Sequence, residues 1–141
     1  MKLKTKPHFS TTVEVIFRDI DSLGHVNSAV YFTYMETART RFFMETLKLN
    51  DVNHLPIILA STSCTYRRPA RLGDHLHIEL LVTRIGKKSF NLTCIMHNED
   101  NVLIAEGESV LVTYDYAKNM TVIIPPELME ILSNFHNAVK E

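Results

Sequence analysis

Residues 18–48 read RDIDSLGHVNSAVYFTYMETARTRFFMETLK, and the contrast between the two parts of this stretch decides the architecture. The first part holds Asp19, Asp21, Gly24 and Asn27, residues that favour turns and helix caps over regular structure. From residue 28 to residue 48 the pattern turns helical. Tyr31, Met35, Ala38 and Phe42 recur at spacings of four, three and four, while Thr33, Thr37, Thr40 and Arg41 gather on the opposite side. Phe32, Tyr34 and Phe43 widen the apolar arc. A helix this apolar must be enclosed, and the rest of the chain offers only a sheet to enclose it.

Upstream, TTVEVIF (residues 11–17) alternates with Val13, Val15 and Phe17 on one face, the period of a half-buried strand. Downstream, IILASTSCTY, HLHIELLVTR, SFNLTCIMHN and VLIAEGESVLVTY are strand-like runs. The turn signals Arg71-Leu72-Gly73-Asp74, Ile85-Gly86-Lys87-Lys88 and Asn98-Glu99-Asp100-Asn101 separate them, so consecutive strands are expected to pair antiparallel. After Pro125-Pro126 the stripe Leu128, Ile131, Leu132, Phe135 and Val139 predicts a terminal helix over 125–140. The expectation is one α+β domain over 1–141: strand, long helix, four strands, terminal helix, with a basic tail at 1–10 and no repeat or linker.

Composition narrows the function. Fifteen Lys and Arg against sixteen Asp and Glu give a net charge of -1, so no global field draws the chain to nucleic acid or an anionic membrane, and any phosphate-binding patch must be local. The N-terminal MKLKTKPHFS leads into no apolar signal region and no run has the length of a membrane span, which reads as a soluble cytoplasmic protein. Cys64 and Cys94 sit in strand-like runs without metal-ligand spacing and read as buried free thiols.

The loop RDIDSLGHVN would place a carboxylate beside a helix N-terminus. Unpaired N–H groups there can polarise a carbonyl oxygen and stabilise the oxyanion formed on attack, while an Asp attacks or draws a proton from water. That geometry suits conversion of an activated acyl group to a carboxylate. Loops before helices are also rich in Asp and Asn for capping alone, and spacing by itself favours that simpler reading.

The run Arg18-x-x-Asp21, then Gly24-His25-Val26-Asn27, then Tyr31, Glu36 and Arg39 resembles the signature of hotdog-fold thioesterases of the 4-hydroxybenzoyl-CoA thioesterase type. The likeness spans residues 11–116 and is specific for the family, not for a substrate. It implies a hotdog fold, a sheet wrapped around one central helix, and hydrolysis of acyl-CoA to a free acid and coenzyme A with no metal or redox cofactor. Asp21 matches the family's catalytic aspartate, with Asp19 a weaker candidate, and the backbone N–H near Ser28 matches the group that polarises the thioester carbonyl. Many relatives carry Asn where this chain has Ser28. RIGKKSF resembles the family's basic turn for coenzyme A phosphates, which carries over to Lys87, Lys88 and Ser89. The resemblance also implies a homodimer or homotetramer with sheets paired edge to edge and shared sites.

Other residues have competing readings. His25 can act as acid or base or simply pack at the helix entry, and Asn27 and Tyr31 are candidates to line the substrate site. The acyl chain is expected near Tyr31, Tyr34 and Met35, which can equally be core. His75 and His77 share a strand face without a third metal ligand of recognisable spacing. Glu36 and Arg39 form an i,i+3 pair for which a salt bridge is the simple account. Arg67, Arg68 and Arg71 are either a solvated turn or a second phosphate patch. Two rival functions stand beside hydrolysis: an acyl-thioester dehydratase or hydratase using His25 with a carboxylate, and a non-catalytic acyl-CoA-binding protein.

Overall fold

The computed structural model describes residues 9–48 and 55–137. The elements run β1 (Phe9–Glu14), a 3-10 turn (Phe17–Asp19), α1 (Val30–Thr46), β2 (Ile57–Tyr66), β3 (His75–Ile85), β4 (Ser89–His97), β5 (Leu103–Asp115), β6 (Met120–Thr121) and α2 (Pro126–Phe135). The strands form one antiparallel sheet in the order β1-β3-β4-β5-β2, with β6 attached to β5.

Alternation along each strand builds the core. Leu76, Ile78, Leu80 and Val82 of β3 and Phe90, Leu92, Cys94 and Met96 of β4 are buried and face α1. From the helix, Tyr31, Tyr34, Met35, Ala38, Phe42 and Phe43 are buried against them. Gly107 in β5 lets the helix approach: a Cβ there would lie 2.5 Å from Met35 Sδ and Cε and 3.0 Å from the Ser63 carbonyl oxygen. Helix α2 buries Leu128 and Leu132 and sets Phe135 edge-on to Phe42 at 5.1 Å.

Several sequence expectations are corrected. The first strand covers Phe9–Glu14, taking in the last two residues of the expected basic tail and stopping short of Phe17, because the chain turns through Phe17–Asp19. The long helix begins at Val30 and ends at Thr46, inside the expected 28–48. The terminal helix ends at Phe135, His136–Asn137 continue as extended backbone against Val82, and Val139 lies outside the described residues. Strands β3, β4 and β5 pair consecutively as expected, but β2 does not pair with β3; it crosses to β5 and becomes the far edge. The two-residue β6 has no clear signal in the sequence.

Candidate active site

The residues after β1 form a small hairpin. Asp21 N–H donates to the His25 carbonyl at 3.1 Å, and Ile20 bridges Val26. Gly24 closes the bend at a φ of 88°, a conformation few side chains tolerate. Val26 N–H donates to the Ala70 carbonyl at 2.9 Å, pinning the hairpin to the segment that leaves β2. Within this frame Asp21 Oδ1 accepts the Leu23 N–H at 2.9 Å, and the carboxylate is half-buried.

The entry to α1 uses a side chain one step earlier than a standard cap. Asn27 Oδ1 accepts the Ala29 N–H at 2.9 Å and the Asn27 carbonyl accepts that of Val30 at 2.9 Å. Asn27 N–H itself donates to the Asp19 carbonyl at 2.9 Å. Between these satisfied groups, the exposed Ser28 N–H has no acceptor among the described residues. The Ser28 carbonyl accepts the Tyr66 hydroxyl at 2.8 Å.

These pieces enclose a cleft of about 360 Å³ lined by Asp21, His25, Ser28 and Tyr31 from the hairpin side and Tyr66, Arg67, Arg68 and Pro69 from the end of β2. Tyr31 is buried, its oxygen accepts the Ala70 N–H at 3.2 Å, and burial raises its pKa, so it stays a neutral phenol. Arg67 is tied to Glu106 at 2.9 Å, which leaves the exposed Arg68 as the cation at the rim, its side chain without an acceptor among the described residues. A carboxylate, a free backbone N–H and a cationic rim around one cleft are the parts that acyl transfer requires.

Comparison with known proteins agrees with this chemistry. The thioesterase-like superfamily matches residues 15–132. The chain belongs to that superfamily. The acyl-CoA thioester hydrolase YbgC of Escherichia coli is 28% identical over 127 residues, covering 86% of this chain and 92% of that protein. A thioesterase from Thermus thermophilus solved with coenzyme A and Zn has a TM-score of 0.79 at 29% identity, covering 91% of this chain and 98% of its own. A 1,4-dihydroxy-2-naphthoyl-CoA thioesterase from Synechocystis shares the fold, with a TM-score of 0.81 at 17% identity over 91% of this chain and 97% of its own. The architecture is thus the hotdog fold, and Asp21 and Ser28 of the thioesterase-like motif line one cleft.

Other motif residues lie elsewhere. Asn27 does not line the cleft, and its side chain is spent on the turn into α1. Asp19 Oδ2 accepts the Tyr34 hydroxyl at 2.8 Å and the Ile16 N–H at 3.1 Å, a structural assignment. Tyr34 and Met35 are core, so of the three residues expected near the acyl chain only Tyr31 reaches the cleft. Arg39 donates to Ser109 Oγ at 3.2 Å in place of a salt bridge to the exposed Glu36. His75 Nδ1 lies 2.9 Å from Glu99 Oε2.

Lys87 and Lys88 occupy the β3–β4 turn and Ser89 opens β4, at the opposite end of the sheet. Tyr66 pairs with Ala105 and Ser89 with Val112, a seven-residue step along β5 that spans roughly 24 Å at strand rise. Within one chain the basic turn and Asp21 do not meet. Tyr66 carries no motif signal in the sequence because its role arises from a hydrogen bond to Ser28, 38 residues away.

Proposed function

We propose that this protein hydrolyses acyl-CoA thioesters to a carboxylic acid and coenzyme A. The observation that carries the reading is the half-buried Asp21 carboxylate sharing a cleft with the free Ser28 N–H. The thioester carbonyl oxygen accepts the Ser28 N–H, which draws electron density from the carbonyl carbon and stabilises the oxyanion as it forms. Asp21 either attacks that carbon, giving an anhydride that water cleaves, or takes a proton from the water that attacks. Collapse of the tetrahedral intermediate breaks the C–S bond and releases coenzyme A. The names of the relatives above, YbgC first among them, support coenzyme A as the thiol.

We also read the working form as a homodimer or larger even assembly built on β2. That strand is an edge, exposed along most of its ten residues, and an antiparallel copy would satisfy its open backbone groups. Reversing β2 across such a pair carries the partner's Lys87–Lys88 turn toward the Asp21 cleft, where it can meet the nucleotide phosphates. A release assay for free thiol across acyl-CoA chain lengths tests the reaction. His25 lines the same cleft and would serve a hydratase, so product without free thiol would replace hydrolysis by that reading.

A further inference from the structure

A second cavity, of about 400 Å³, opens where β5 ends, away from the Asp21 cleft. It is lined by Pro56, Tyr114, Tyr116, Val122 and Pro125, with Asp115 as the charged member. The two aromatic rings stand 5.0 Å apart at 66°, and each is anchored by its hydroxyl. Tyr114 donates to Asn119 Oδ1 at 3.0 Å and Tyr116 to the Ile57 carbonyl at 2.9 Å. Both rings are therefore held in place before anything binds. Pro56 precedes β2, and Tyr116 takes the carbonyl of that strand's first residue, so a ladder of two copies along Ile57–Tyr66 ends before the cavity.

The walls of this cavity are bonded to the basic turn. The Lys88 carbonyl accepts the N–H of Thr113, one residue before Tyr114, at 2.9 Å. The Lys87 carbonyl accepts the N–H of Ile124, one residue before Pro125, at 2.9 Å. Both lysines are exposed. Aromatic rings on which a base can lie, beside cations that can meet its phosphates, are the parts of a nucleotide site. Asp115 adds a means of choosing the base. Its Oδ1 accepts the Ala117 and Lys118 N–H groups at 2.9 and 3.0 Å, which fixes the carboxylate, and Oδ2 has no donor among the described residues. An exocyclic amino group is the match for that oxygen, whereas a ring carbonyl in its place is repelled.

We propose that this cavity is an adenine site: the base of coenzyme A lies against Tyr114 and Tyr116 and its amino group donates to Asp115, while Lys87 and Lys88 meet the phosphates. The enzyme then selects thioesters of coenzyme A over the same acyl groups on a carrier protein, whose phosphopantetheine bears no base. The selection rests on the hydrolysis proposed above; the seat of the nucleotide is read by binding alone.

The test titrates the whole protein with adenosine 3′,5′-bisphosphate, the nucleotide of coenzyme A without its pantetheine, by calorimetry. It should bind, and guanosine 3′,5′-bisphosphate should bind at least about tenfold more weakly, the scale of one good contact to a base edge. Tyr116 is 58% exposed, so truncating it spares the core. Tyr116→Ala should weaken the adenine nucleotide by about tenfold, the scale of a lost base–aromatic stack. Tyr116→Phe loses the same hydroxyl bond but keeps the ring, and should bind close to wild type. In turnover, Tyr116→Ala should raise KM for an acyl-CoA far more than for the matching acyl-pantetheine, and the wild type should use the acyl-CoA at least about tenfold better than the acyl carrier-protein thioester. Equal binding of the two nucleotides, equal losses for acyl-CoA and acyl-pantetheine, or preference for the carrier protein overturns the proposal. If no acyl-CoA is hydrolysed, the reaction assigned to the cleft fails, and calorimetry decides the adenine site by itself: absent binding of adenosine 3′,5′-bisphosphate overturns it.

Discussion

The Tyr66 hydroxyl donates to the Ser28 carbonyl at 2.8 Å, so the last residue of an edge strand holds in place a residue that lines the cleft. Tyr66 is thereby a positioning residue. Tyr66→Phe should lower kcat by roughly tenfold, the scale of a small misplacement at a reacting centre. Its pH profile and thermal midpoint should stay close to wild type, because the ring remains and the hydroxyl is at the surface. A kcat equal to wild type would show that Ser28 is held by the helix alone.

Asp21 lines the cleft, whereas Asp19 is tied to the Tyr34 hydroxyl and the Ile16 N–H. Asp21→Asn should reduce kcat by at least about a hundredfold with little change in the urea midpoint. Asp19→Ala removes the acceptor of the Tyr34 hydroxyl and should cost about 1–3 kcal/mol of stability, with a smaller loss of rate. The reverse pattern in the two variants would exchange their assignments.

The distance between Asp21 and the basic turn makes a prediction about assembly. Lys87→Ala with Lys88→Ala should raise KM for acyl-CoA and change kcat little, since remote phosphates bind ground and transition states alike. The effect should shrink with pantetheine thioesters. A hybrid of this double variant with Asp21→Asn should then regain a near-wild-type KM at about half the activity, because one of its two sites draws a sound Asp21 and a sound basic turn from different chains. A hybrid that keeps the raised KM would place both groups of each site in one chain.

Gly107 is a point of close approach between the sheet and Met35 of the helix. Gly107→Val should destabilise the protein by about 1–3 kcal/mol through overpacking, because its side chain would meet Met35. Met35→Ala added to it should recover part of that loss, a coupling visible in a double-mutant cycle. Simple additivity would mean that the strand shifts and Met35 stays where it is.

Burial pushes the Cys94 thiol up to about 12, from an ordinary 9.0. A group with a raised folded pKa contributes its stability fully below the unfolded value and loses it as pH climbs through the folded one. Stability should therefore fall between about pH 9 and pH 12 as the unfolded chain gains the thiolate first. Cys94→Ala should flatten the alkaline slope of urea midpoint against pH, and native Cys94 should resist alkylating reagents at neutral pH.

Local signals made much of this legible. Turn chemistry at Gly73, Gly86 and Asn98 bounded three strands to within a residue or two, and the apolar arc from Tyr31 to Phe43 announced a helix under a sheet. The Asp21 motif pointed to the loop that does line the cleft. What stayed hidden was pairing between distant segments. The run IILASTSCTY says that residues 57–66 are extended but not that they cross to β5, and the cleft's second wall, Tyr66 to Pro69, follows from that crossing. The end of the first strand is obscured because Val15 and Phe17 continue an alternating pattern past Glu14; Val15 is buried between the strand and the 3-10 turn, while Phe17, in that turn, is 80% exposed.

The crossing of β2 also dictates the order in which the protein can mature. Both walls of the cleft lie in the first half of the chain, between residues 21 and 69, yet β2 has no ladder partner until Leu103–Asp115 exists to receive it. A nascent chain that has released α1, β2 and β3 therefore carries the groups of its chemistry in sequence but not in space. Such long-range pairing is slow and leaves strand edges open to other chains meanwhile. The cleft should close late in synthesis, after most of the chain has left the ribosome, and truncations that stop before residue 115 should yield chains that bind neither substrate nor one another in a specific way.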